Sequence, residues 1–291
     1  MEKWKKAVFI VMIILVAGSL AGCNKETEES KEGGDTPTKD NPKVVEIAIL
    51  DGMAPYTYQD ENGDFQGYDY KFLEKCDELL EEYEFHYNAV DPDAGAAAVQ
   101  AGTYALSCSA HFVTPAREEN FLLSIPQSYY PVNLISRTED SFTKFEDLDG
   151  QVVVPNPPND GLYVVLYKMA EEFPNVKFSQ EEVSEYVSYY DSCKGVANGT
   201  WDVWFGGKSM YDDIIAQEPM DLFCSDPVYC ADCVVVINKE YEDLRDKLNE
   251  CIVTLYQDGT LSELSKEWLG MDCFQVAEET GALYDYDSYK K

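Results

Sequence analysis

A repeated α/β architecture is predicted by three features of the sequence. Short β-rich runs alternate with amphipathic helical stretches, Gly or Asx-Gly turns separate them, and the set from Gln151 to about Ser225 mirrors in outline the set that begins at Val44. The first strand is Val44–Leu50, closed by Asp51-Gly52, and Pro55–Tyr58 reads as a second short extended piece. After the turn Asp60–Asp64, Tyr70, Phe72, Leu73, Cys76, Leu79 and Leu80 fall on one helical face, with Lys71, Glu74, Lys75, Glu81 and Glu82 toward water. Phe85–Val90 reads as strand, Ala94–Gln100 as a helix stopped by Gly102, and Tyr104–Cys108 as strand again.

The second set runs from an extended segment near Leu134 through strand Gln151–Val154 and helix Leu162–Met169. It continues with a helical stretch Val183–Cys193 and a strand within Gly199–Gly207. The chain closes with strand Cys233–Ile237, a helix carrying Leu244, Leu248, Cys251, Ile252 and Leu255, and a last helix started by a capping box, Thr260–Glu263. Beyond Glu278 few apolar positions remain to anchor a tail.

The N-terminus predicts export. Lys3, Lys5 and Lys6 precede an apolar run, Ala7–Leu20, which is short of the ~20 residues a span needs and suits a signal segment. Leu20-Ala21-Gly22-Cys23 resembles the lipobox of bacterial lipoproteins. That implies residues 1–22 as signal peptide and Cys23 as a lipidated first residue on the outer face of the cytoplasmic membrane. An uncleaved signal anchor is the alternative, and it gives the same topology. Residues 23–43 are polar and read as a flexible tether.

Composition narrows the function. Asp+Glu 55 against Lys+Arg 22, a formal charge of -33, excludes a basic nucleic-acid footprint and a polybasic grip on anionic lipid. Two histidines, His86 and His111, exclude a His-rich metal site, and no G-x-S-x-G, HExxH or Walker A motif occurs. No cofactor is expected. Eight cysteines beyond Cys23 leave structural disulfides, buried free thiols or a small redox or zinc cluster at Cys230-x-x-Cys233 all open.

A family resemblance becomes specific at Asp51…Pro55-Tyr56, Asn62–Asp69, Gln100–Tyr104, Thr114–Glu118, Leu123–Pro126, Asp147–Gly150, Asn198–Asp202 and the closing stretch Asp258–Gly270. In this order the pieces resemble the family 3, amino-acid-type extracellular solute-binding proteins of ABC importers. The resemblance implies a two-lobed periplasmic-binding-protein fold (type II), each lobe a mixed sheet flanked by helices, with two hinge crossovers. Lobe 1 would be residues 44–131 plus 233–276, lobe 2 residues 132–232, and 277–291 a C-terminal tail. It further implies a monomeric, non-enzymatic receptor that hands a small carboxylate, an amino acid or an analogue, to a membrane permease. A surface or sensory lipoprotein that has lost transport is the second reading, and a dehydratase-like enzyme on the same fold the third.

The resemblance places Arg117 on the ligand carboxylate, where a guanidinium fork offers two aligned donors. Thr114 as N-cap and Pro115 at N1 would set it in a first helical turn; pairing with Glu118 or Glu119 at the surface is the plainer alternative. Lobe-1 partners would be Tyr56 and Tyr87 as rings, Asp51 as an acid, and the backbone at Ala110, Phe112 and Thr114. Lobe 2 would contribute Asp160 and Gly161 at a helix start, and Gly207. Two of these depart from the pattern: Phe112 replaces a hydroxyl residue, and Gly207 stands where an aspartate would take the ligand ammonium. PNPPNDG, Pro155–Gly161, replaces a shorter turn. Trp201 and Trp204 are expected to fill the vacated space beside Gly206-Gly207.

Overall fold

The computed structural model of the protein describes residues 37–158 and 160–289. The expected signal segment, Cys23 and the tether as far as residue 36 lie outside the described residues. Pro37–Pro42 forms a small turn in which Thr38 and Asn41 exchange backbone hydrogen bonds, and Lys39 reaches Glu81 at 2.6 Å.

Among the described residues the chain forms ten strands and nine α-helices. The strands β1 (Lys43–Leu50), β2 (Tyr58–Gln59), β3 (Phe65–Gln66), β4 (Tyr83–Val90), β5 (Leu106–Phe112) and β6 (Leu122–Leu123) come with helices α1 (Tyr68–Leu79), α2 (Pro92–Gln100) and α3 (Pro115–Asn120). Then come β7 (Ser128–Arg137), α4 (Gly161–Glu172), α5 (Tyr189–Ala197), β8 (Val203–Gly206), α6 (Lys208–Gln217), β9 (Leu222–Cys224) and β10 (Tyr229–Ile237). Helices α7 (Glu242–Gln257), α8 (Thr260–Leu269) and α9 (Cys273–Glu279) complete the set.

Strands run in the order β4-β1-β5-β10-β7-β8, with β6 also on β10 and β9 also on β7. The first three are parallel, as the βαβ alternation requires; β10 and β7 are antiparallel to their neighbours. Strand β10 joins the two lobes: Cys233–Ile237 pairs with β5, while Tyr229–Cys233 pairs with the start of β7. The far half of β7, Asn133–Ser136, pairs with β8. Two long strands therefore cross from one lobe to the other side by side. One core gathers α1, α7, α8 and α9 around β1, β4 and β5; the other gathers α4 around β7 and β8, with α5 and α6 packed on a third cluster.

Several local expectations are corrected. Leu79 is 46% exposed, because the chain turns at the end of α1 and buries Leu80 instead. Helix α5 starts only at Tyr189, where Ser188 accepts from the Asp191 N–H, so Val183–Val187 is not helical. No capping box opens α8: Gly259, at φ 85°, precedes it, and the Asp258 carboxylate accepts from Thr260 N–H. The tail is anchored. Tyr286 is buried, donates to the Pro126 carbonyl, bonds Tyr129 Oη at 2.9 Å and stacks on Tyr256.

All eight described cysteines are free thiols, seven of them buried. Cys230 and Cys233 cannot pair locally, since positions three apart on a strand face opposite ways; they enter different core clusters. Among the described residues no His, Cys, Asp and Glu group is arranged to hold a metal. Alkylation of the unfolded, unreduced protein should therefore label all eight. A cross-linked cysteine peptide in the digest would contradict this.

Candidate functional site

The two lobes meet where the end of β5 and the start of α3 face the starts of α4 and α6. Strand β5 ends in Ala110-His111-Phe112, and Ala110 takes φ 48°, a left-handed conformation that costs a non-glycine residue strain. Buried Asp69 at the start of α1 holds it there: its carboxylate accepts from Ala110 N–H at 2.6 Å and from Gln127 Nε2 at 2.8 Å. Burial raises the Asp69 pKa from 3.8 to about 6, with these donors opposing.

Thr114 caps α3 by accepting from Arg117 N–H at 3.2 Å, with Pro115 at N1 as the sequence predicts. The half-buried Arg117 side chain turns back so that Nη1 donates to the Phe112 carbonyl at 2.7 Å. That bond uses one of the five guanidinium donors. Among the described residues no carboxylate is within ion-pair distance of Arg117, so a surface pair with Glu118 or Glu119 is not formed. Burial lowers its pKa, and the charge of Asp160 works against that. Next to it, His111 is buried on Ser107 Oγ at 3.0 Å, with its pKa pushed down to about 3 by burial and then by the Arg117 charge. The imidazole is thus neutral, and Arg117 carries the local positive charge.

Across the cleft, Asp160 caps α4, accepting from Leu162 and Tyr163 N–H at 2.9 and 3.2 Å. Its pKa is raised by burial, while the backbone donors and Arg117 pull the other way. Gly161 follows, and a Cβ there would overlap the ring of Phe112. Phe112 is 9% exposed and meets Tyr130 edge-on at 5.1 Å, and Tyr130 stacks with Tyr56 at 6.3 Å. Gly207 lies against Tyr130 Oη just as closely. The space left between Tyr56, Tyr130, Gly207 and Lys208 is a cavity of about 20 Å³.

Tyr56, Ala110, Phe112, Thr114, Arg117, Asp160, Gly161 and Gly207 therefore converge. Asp51 and Tyr87 do not join them. Asp51 is exposed and orders its own loop, accepting from Gly52 and Gln59 N–H. Tyr87 belongs to β4, the outermost strand, and packs among Phe65, Tyr70 and Phe85. The ring at Gly207 is Tyr130, not a tryptophan: Trp204 covers Gly206 and stacks with Tyr189 at 5.6 Å, and Trp201 packs on Gly195 of α5. Sequence reasoning missed Tyr130. Alternation along β7 is the signal that finds it, since Tyr129 enters the lobe-1 core and Tyr130 the cleft cluster.

The family model for bacterial extracellular solute-binding proteins, family 3, matches residues 45–271. The chain belongs to this family. It is 22% identical over 276 residues to the L-cystine-binding protein TcyK of Bacillus subtilis, covering 92% of this chain and 97% of that one. A probable amino-acid ABC transporter-binding protein of Haemophilus influenzae is 25% identical, at 90% and 99% coverage. Among solved structures, the probable amino-acid ABC transporter extracellular-binding protein ytmK of B. subtilis superposes with a TM-score of 0.65 at 19% identity, over 79% of this chain and 98% of that one. The L-cystine solute receptor of Neisseria gonorrhoeae, in its unliganded open conformation, gives 0.58 at 18% identity, over 81% and 96%. The fold is thus the two-lobed binding-protein fold, and the family is one of non-catalytic, extracellular-type binding components of amino-acid ABC importers.

Proposed function

We propose that this family 3 protein is the lipid-anchored substrate receptor of an ABC importer, held at the outer face of the cytoplasmic membrane through Cys23 and acting as a monomer. It binds an amino acid or a related small carboxylate between its lobes and presents it to the permease. The observation that carries the reading is the placement of Arg117: half-buried, oriented by Phe112, beside a neutral imidazole and opposite the Asp160-capped start of α4. A guanidinium so placed binds a carboxylate more strongly than water-exposed charge does, because the competing solvent is reduced.

Asp160 supplies what Gly207 lacks. With its carboxylate across from Arg117, a zwitterion spans the cleft with its acid end on Arg117 and its ammonium on Asp160. The names of the relatives, two of them cystine-binding, agree with an amino-acid ligand.

Thermal-shift screening across L-amino acids including L-cystine, their deaminated acids and short peptides tests this, with calorimetric titration of whatever binds. A true ligand at about 100 times its Kd stabilises the fold by about 2.7 kcal/mol. The expected ranking puts zwitterions above deaminated acids, and both above amides that lack the carboxylate. Equal binding of a carboxamide would sink the role of Arg117; no shift from any solute would favour the sensory reading.

A further inference from the structure

Phe112 and Gly161 form a fitted pair. The ring comes from the end of β5 on one lobe, and its seat is the first residue of α4 on the other. A Cβ at Gly161 would overlap Cδ2 of that ring, so only glycine leaves the space that the ring fills. A second pair repeats the arrangement: Tyr130 Oη on Gly207, the residue before α6. The edge-on contact with Tyr130 holds Phe112 from the other side, at 5.1 Å and 68°. Phe112, Tyr130 and Leu162 thus share one apolar cluster that runs across the lobe boundary. A hydroxyl residue at position 112 would leave that space to solvent or solute.

We propose that Phe112 is a built-in occupant of the cleft, whose ring on Gly161 closes the lobes onto each other in the absence of solute. In a receptor, the reading on which this step rests, a solute then binds by displacing the ring, so Phe112 sets both affinity and size selection. Small solutes that cannot replace its contacts with Tyr130 are rejected. The Phe112 carbonyl stays on Arg117 while the side chain swings, so the carboxylate anchor and the ring act independently.

The first test needs no ligand. The protein is stripped of bound solute by unfolding, dialysis and refolding, and its radius of gyration is measured by small-angle X-ray scattering beside Phe112→Ala and Gly161→Val. The wild type should be compact, and both variants, from opposite lobes, should shift to a larger radius while keeping a folded circular dichroism spectrum. A wild type as extended as the variants overturns the proposal. So do variants as compact as the wild type, because the ring is then not what closes the lobes. Should a variant fail to fold, the wild type and Phe112→Leu decide together: an extended stripped wild type refutes self-closure, a compact one that opens under Phe112→Leu upholds it, and one that stays compact under Phe112→Leu refutes the role of the ring. Failure of every solute to bind would defeat the receptor reading and leave this result untouched.

Discussion

Replacing Arg117 by alanine is expected to weaken solute binding more than 100-fold, about 3 kcal/mol, in calorimetric titration of the solute identified by thermal shift. Truncating one side of a desolvated charge pair costs roughly 2–5 kcal/mol, because the partner charge is left buried and unpaired. Three features put Arg117 in that class. It is half-buried, its fork is oriented by the Phe112 carbonyl at 2.7 Å, and its neighbour His111 is held neutral, so that imidazole adds no charge beside it. The fold itself should lose only about 1 kcal/mol, the value of one hydrogen bond. Lysine at 117 restores charge but not the paired donors, so Arg117→Lys should recover binding in part. An unchanged Kd for Arg117→Ala would remove the anchor from the proposed mechanism.

The second large effect is a pH dependence written into Asp69. Its side chain is fully buried, and its pKa rises from 3.8 to about 6 on folding. Between those values the folded protein binds more protons than the unfolded chain, so stability falls as pH rises through the window from about 4 to about 6.5 and levels off above it. The full shift corresponds to about 3 kcal/mol, lost at neutral pH relative to acid. Asp69→Asn removes the titration and keeps an acceptor for Ala110 N–H. The Gln127 amide, whose Oε1 is buried without a partner, can rotate to accept from the new amide. Denaturant unfolding of both proteins at pH 4, 5, 6 and 7 should show the wild type losing about 2 kcal/mol against Asp69→Asn across the series, the remainder of the shift lying below pH 4. Parallel curves would mean that Asp69 does not titrate in this range. Because Asp69 fixes Ala110, two residues before Phe112, any loss of order here would also reach the cleft.

Particular residues show how much of the fold and site was legible in the chain. Thr114-Pro115 announced the start of α3, and Asp160 the start of α4, because a cap is a contact between near neighbours and needs no tertiary knowledge. Periodicity placed α1, α4 and α7 for the same reason. The capping box at Thr260 failed although its pattern was present, since Asp258 and Gly259 offered the backbone a competing local solution. Tyr87 was a plausible ring by type, and only sheet order separates it from the cleft: β4 lies two strands from β5. The tail looked unanchored because Tyr286 finds Pro126 and Tyr129 about 160 residues back in the chain.

Acidic composition, strand-helix alternation and an arginine behind a helix cap are properties of neighbouring residues, and the chain alone determined them. That Phe112 seats on Gly161, that Tyr130 takes the place beside Gly207, and that Asp160 faces Arg117 were decided by the two strands that cross between the lobes. Those contacts join residues from about 40 to 80 positions apart. Local propensity carries no record of such distances. Only the register of β7 and β10 sets them.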